Sequence, residues 1–160
     1  MLVTIDASSI IYAWDNYPIE QFPRLWEWLC EEIGEGSLCI SRVAFDEVKN
    51  KSEECSTWMQ SCNIQKFSVT VDILKTAVKI HELLGIENEN YHPKGVGEND
   101  IIIIATAKIM DTVLISNEAL QIGMPQDRRK YKIPAVCFLN DVSVECIDFL
   151  KYLKRSDKVF

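Results

Sequence analysis

The sequence predicts a three-layer α/β/α sandwich around a mainly parallel central sheet, and three observations carry that expectation. Short β-branched runs, Leu2-Val3-Thr4-Ile5, Leu38-Cys39-Ile40 and Val113-Leu114-Ile115, read as strands. The segments between them repeat their apolar residues at helical spacing. Alternating strands and helices are the pattern of parallel neighbours joined by helical crossovers. No tract reads as a linker, repeat or low-complexity stretch, so residues 1–160 are expected to form one domain.

The elements follow in order. The first strand runs into Asp6, and Ala7-Ser8-Ser9 turns the chain into Ile10-Ile11-Tyr12. Phe22, Leu25, Trp26, Leu29, Cys30 and Ile33 keep helical spacing, closed by Gly34 and Gly36. The strand at 38–40 feeds a helix beginning within Ser41 to Val48, and Ser52 to Ser61 carries Trp58 and Met59 on a second short helix. From Val71 to Leu84, Ile73, Ala77, Ile80 and Leu84 share one helical face, ended by Gly85. A polar loop over 87–95 leads into Gly97-Glu98-Asn99-Asp100 and the apolar run from Ile101 to Ala107, which reads as a buried helix. A strand is expected near Ile133–Leu139. Val144, Ile147, Leu150 and Leu153 then mark a final helix with Lys151, Lys154 and Arg155 towards its C-terminus, where cations are favoured.

Composition narrows the class. A chain of 160 residues with 48% hydrophobic content is long enough to bury roughly two-thirds of its unfolded surface. No run approaches the roughly 20 apolar residues of a membrane span, and the chain opens on a strand rather than a basic signal region, so a cytoplasmic protein is expected. The six cysteines, Cys30, Cys39, Cys55, Cys62, Cys137 and Cys146, show no C-x-x-C spacing and read as reduced thiols on apolar faces. His81 and His92 are not spaced with any cysteine as zinc ligands.

Four acids stand where chemistry is done in an open α/β sheet, beyond the carboxyl ends of strands. Asp6 ends the first strand, and Glu47, next to Asp46, lies in the helix after the second. Asp100 occupies the first turn of the apolar helix, and Glu118 follows Val113-Leu114-Ile115 by way of Ser116-Asn117. Taken singly, each is also what a helix cap or a solvated surface would use. Taken with the order of elements, they can meet at one sheet edge. Carboxylates sharing a cleft repel one another unless a cation is present. A hard ion such as Mg²⁺ or Mn²⁺ takes oxygen ligands and keeps waters, one of which can attack a phosphodiester. One metal or two is left open.

These residues resemble a known family. Val3-Thr4-Ile5-Asp6-Ala7-Ser8, Asp46-Glu47-Val48, Glu98-Asn99-Asp100 leading into Ile103-Ile104-Ala105-Thr106-Ala107, and Leu114-Ile115-Ser116-Asn117-Glu118 are similar to the ordered motifs of PIN domains. The resemblance runs from the first strand to the segment at Ile133–Leu139. It implies a metal-dependent ribonuclease, with many bacterial and archaeal members being VapC-type toxins of toxin–antitoxin pairs, and Asp6, Glu47, Asp100 and Glu118 as the catalytic cluster. Asp6, Asp100 and Glu118 would hold the metal, supported by Ser8, Ser116 and Asp46. Tyr12-Ala13-Trp14-Asp15 and Trp26-Glu27-Trp28 resemble a less-studied PIN subfamily, and Glu118 stands where Asp is more frequent.

The net charge of −7 opposes a broad RNA-binding surface. One basic stretch, Arg128-Arg129-Lys130-Tyr131-Lys132, suits a single phosphate track, with Tyr131 placed to stack on a base. Lys49 and Lys51, beyond Glu47, could add phosphate contacts. A phosphatase of the haloacid-dehalogenase type would need a carboxylate where Ser8 stands, and a receiver domain would need an acidic pair near the first strand. The alternative that fits the motifs is a catalytically inactive PIN fold acting as a protein-interaction module. The resemblance to VapC proteins implies an antitoxin that lays a segment across the helix from Phe22 to Ile33. Exposed aromatics at Trp26, Trp28 and Trp58 would suit a homodimer.

Overall fold

A computed structural model describes residues 1–160. Strand β1 (Val3–Ile5) passes at Asp6 into α1 (Ala7–Asn16), and α2 (Pro23–Gly34) opens on a proline, whose missing N–H costs nothing in a first turn. β2 (Leu38–Ser41) leads straight into α3 (Arg42–Lys51), because Ser41 caps it by accepting the Ala44 N–H at 3.1 Å. Ser52 does the same for α4 (Glu53–Ser61), accepting from Cys55 at 3.2 Å. After β3 (Lys66–Phe67), α5 (Val71–Leu84) ends on Gly85 at φ 72°, a left-handed conformation that glycine adopts without strain. Then come α6 (Glu98–Ile109), β4 (Val113–Ile115), a 3₁₀ turn at Arg128–Lys130, α7 (Ile133–Phe138), β5 (Cys146–Ile147) and α8 (Phe149–Ser156).

The five strands are all parallel, in the order β3-β2-β1-β4-β5. β1 lies at the centre, pairing Val3 with Leu38 on one side and with Val113 on the other. Chain order reverses between β1 and β4, and that switch point opens a crevice beyond their carboxyl ends. Helices cover the sheet to give the three-layer α/β/α sandwich the sequence predicts. One contiguous core joins all layers, and α6 is its deepest helix, with every residue from Ile101 to Ala107 buried. A helix apolar on all sides belongs there. No helix is long and apolar enough to cross a membrane.

Four expectations are corrected. Residues 133–138 form α7, not a strand: Pro134 sits in a first helical turn, where its fixed φ fits, and a short apolar run does not separate helix from strand by periodicity. The last strand is instead Cys146–Ile147, and the final helix starts only at Phe149, because Asp148 caps it by accepting the Lys151 N–H at 2.7 Å. Trp26 and Trp28 are buried rather than exposed, and Trp14, Trp26 and Trp58 pack edge to face or tilted on one another. This narrows the exposed apolar surface expected for a homodimer and along the helix from Phe22 to Ile33, where Phe22 stays exposed and Trp58 half-buried. Cys30 and Cys62 form a disulfide between α2 and the end of α4, with Cα atoms 5.2 Å apart. A separation of 32 residues hides such a pair in the sequence, and closing that loop is worth roughly 3–4 kcal/mol in the chain-entropy model. The other four cysteines are free, three of them buried.

Candidate functional site

Asp6 is only 3% exposed and makes no capping bond to α1, so capping does not account for it. Its Oδ2 accepts hydrogen bonds from Ser8 Oγ at 2.6 Å and Ser116 Oγ at 3.1 Å. Ser8 Oγ in turn accepts the Asn117 N–H at 3.0 Å, so the first turn of α1 and the end of β4 are tied together around this carboxylate. The backbone supports the same junction, with Asp6 N–H donating to Ile115 and Ser116 N–H donating to Ile147. Asn117 extends it, its Oδ1 accepting from Ser9 Oγ at 2.8 Å and from Phe149 N–H at 3.0 Å.

Asp100 and Glu118 each hold one oxygen in place and leave the other free. Asp100 Oδ2 accepts the Gly97 N–H at 2.9 Å, one half of a capping box at the start of α6. Glu118 Oε2 accepts the Ile133 N–H at 2.9 Å, at the first residue of α7. Glu47 stands half-buried on α3. Burial pushes the carboxyls of Glu47, Asp100 and Glu118 above the ordinary range. The charge of Asp6 raises all three further, and Asp100 raises both glutamates. Asp6 and Asp100 thus lie near enough to both glutamates for their charges to be felt, around the crevice beyond β1 and β4. The Asn99 amide draws Glu47 back down, and Lys51 and Lys132 offset Asp100.

The donor set suits a hard cation: carboxylate oxygens only, with Asp6 fixed by two hydroxyls. No three His, Cys, Asp or Glu side chains lie close enough together to form a ready-made cage for a cation.

Of the supporting residues, Ser8 and Ser116 lie in the site, whereas Asp46 is exposed and makes no hydrogen bond. The basic stretch is largely committed to structure. The Arg129 guanidinium pairs with Asp127 at 2.7 Å, and Arg128 Nη1 donates to the Leu83 carbonyl at 3.3 Å. Tyr131 is 9% exposed within the core, which takes away the stacking role expected of it. Lys130 gives its carbonyl to Gln121, and Val96 N–H donates to the Tyr131 carbonyl. The stretch clasps the loop before α6: a Cβ at Gly95 would sit 1.7 Å from the Arg129 carbonyl oxygen. The sequence assigns no role to Gln121, names Asn117 only as the residue before Glu118, and names Lys132 only as the end of the basic stretch. Only the position of Asn117 at a strand end, like that of Asp6, could have marked it.

A family model described as Domain of unknown function (DUF4411) matches residues 3–160. No curated protein matches the chain. Among solved structures, the chain is similar to VapBC2 from Rickettsia felis, solved bound to a DNA fragment from its promoter. There the TM-score is 0.52 and the identity 14%, over 93% of this chain and 99% of that one. It is also similar to PAE2754 from Pyrobaculum aerophilum, at a TM-score of 0.52 and 13% identity, over 97% of this chain and 88% of the other. At such identities the likeness is one of fold. VapC is a PIN-domain protein, and the fold described above is PIN-like.

Proposed function

The chain belongs to the family described as Domain of unknown function (DUF4411), and from that premise and its PIN-like fold we propose that it is a metal-dependent endoribonuclease. The observation that carries this reading is the placement of Asp6, Glu47, Asp100 and Glu118 around the crevice at the sheet's switch point, where Asp6 raises the proton affinity of the other three and Asp100 that of both glutamates. Asp6, Asp100 and Glu118 would hold Mg²⁺ or Mn²⁺, which when bound stabilises the charge that develops on a phosphodiester under attack. Ser8 and Ser116 orient Asp6, and Gly97 and Ile133 orient Asp100 and Glu118 through their N–H groups. Glu47, whose carboxyl binds a proton more readily than usual, accepts the proton of the attacking water as its oxygen bonds to phosphorus. The ester P–O bond on the far side breaks, and the leaving oxygen takes a proton from solvent.

The test is cleavage of a labelled pool of single-stranded RNA. Mn²⁺ should support it, EDTA should stop it, and Asp6→Asn and Asp100→Asn should each reduce it by at least 10²-fold with the fold intact. Wild-type activity in both variants would remove these residues from the chemistry. A protein saturated with Mn²⁺ that cuts nothing would favour the second reading, an inactive PIN fold that only binds partners. The absence of a closed ligand cage speaks for that reading.

An antitoxin partner belongs to the same proposal. The likeness to a VapBC structure supports it, and so does an apolar groove of about 500 Å³ lined by Leu120, Met124, Phe138 and Val144. Leu120 and Phe138 stand 80% and 89% exposed there, where a partner's apolar side chains could cover them. Expression of this chain alone in a bacterial host should arrest growth. Normal growth with soluble, Mn²⁺-loaded protein would contradict the toxin.

A further inference from the structure

We propose that Lys51 and Lys132 form a two-point clamp that holds the sugar–phosphate backbone of the RNA on either side of the carboxylate cluster. This deepens the nuclease reading and rests on it. Lys51 closes α3 four residues after Glu47, so the two lie one turn apart on the same helical face. Lys132 stands at the other end of the cluster. It is the residue before Ile133, whose N–H holds Glu118, and its own N–H is fixed to Gln121 Oε1 at 2.9 Å. Both positive charges are felt at Asp100, where they favour the ionised carboxylate.

Neither lysine forms an ion pair. The two salt bridges of the chain join Arg129 to Asp127 and Arg155 to Glu145, both away from the cluster. Both ammonium groups are therefore uncommitted beside the cluster, while Arg128 and Arg129 of the basic stretch are engaged elsewhere. An ammonium on a long flexible stem is a compact charge suited to a phosphate oxygen. In a chain of net charge −7, such local cations are what would let a polyanion approach an acidic centre.

If the lysines only offset the acids, removing them would leave RNA affinity and its salt dependence as they were. A clamp predicts a loss of both. The experiment measures binding of a labelled single-stranded 12-nucleotide RNA by fluorescence anisotropy across a salt series, in an Asp100→Asn background where cleavage is off. Lys51→Gln and Lys132→Gln should each weaken binding on the order of tenfold at low salt. Each should also reduce the slope of log K against log[salt] by about 0.7, the value for one phosphate contact on a single strand. Arg128→Ala, an exposed cation outside the crevice, should leave the slope unchanged. Slopes unchanged in both lysine variants, with RNA still cut by the wild-type chain, would overturn the clamp and leave the nuclease standing. No RNA binding by any form would overturn both.

Discussion

Asp100 meets two demands with one carboxylate. Oδ2 takes the Gly97 N–H and starts α6, while the group as a whole is driven above its ordinary proton affinity by burial and by Asp6. The folded chain therefore holds a proton on Asp100 at pH values where the unfolded chain has released it. Ionisation costs stability as pH rises from the ordinary value of 3.8 through the raised one, and above that the cost is complete. Asparagine keeps an acceptor for Gly97 and carries no charge. In EDTA, Asp100→Asn should melt above wild type by a margin smallest at the acid end and largest near neutrality. The gain should be a few degrees, since each kcal/mol is worth roughly 2–4 °C in a chain of this length. Excess Mn²⁺ should reverse the order by stabilising the wild type alone. A margin that stays flat or shrinks between pH 4 and 7, measured by calorimetry, would show that Asp100 does not carry this repulsion.

Elements were legible where their signals were local. Val71 to Leu84 could be delimited because Ile73, Ala77, Ile80 and Leu84 repeat along it and Gly85 terminates it; the structure adds Thr70, whose hydroxyl caps the other end by accepting the Ile73 N–H. The acids were legible for a related reason: each follows a strand or opens a helix, and topology alone brings such positions to one edge. What stayed hidden was decided at a distance. Two-residue strands such as Lys66–Phe67 and Cys146–Ile147 exist because β2 and β4 already offer an edge to pair with, at the register Ile40 to Lys66 and Leu114 to Cys146. The fate of Arg129 and Tyr131 depended on Asp127 and on the loop at Gly95, which packs against the Arg129 backbone too closely for any side chain. A run of basic residues shows charge, not whether that charge is already paired. Likewise Trp26 and Trp28 sit on a helix whose covered face is set by Trp14, Trp58 and Tyr152 from other segments.

At the scale of the whole molecule, the sheet order β3-β2-β1-β4-β5 places the ends of β1 and β4 side by side, and Asp6 and Glu118 follow those ends in a chain that is already acidic. Four carboxylates gathered there would lower the stability of the fold, and a bound divalent cation would offset that cost. The hydroxyls of Ser8 and Ser116 hold the most buried of these acids, Asp6, in place. The central claim is thus that the four acids act as one cation site. A titration of the purified chain with Mn²⁺, followed by the electron paramagnetic resonance of the free ion, tests it most directly. The signal should be suppressed stoichiometrically by the wild-type chain, and far less by Asp6→Asn or Asp100→Asn with unchanged circular dichroism. Equal suppression by all three proteins, or none by the wild type, would contradict it.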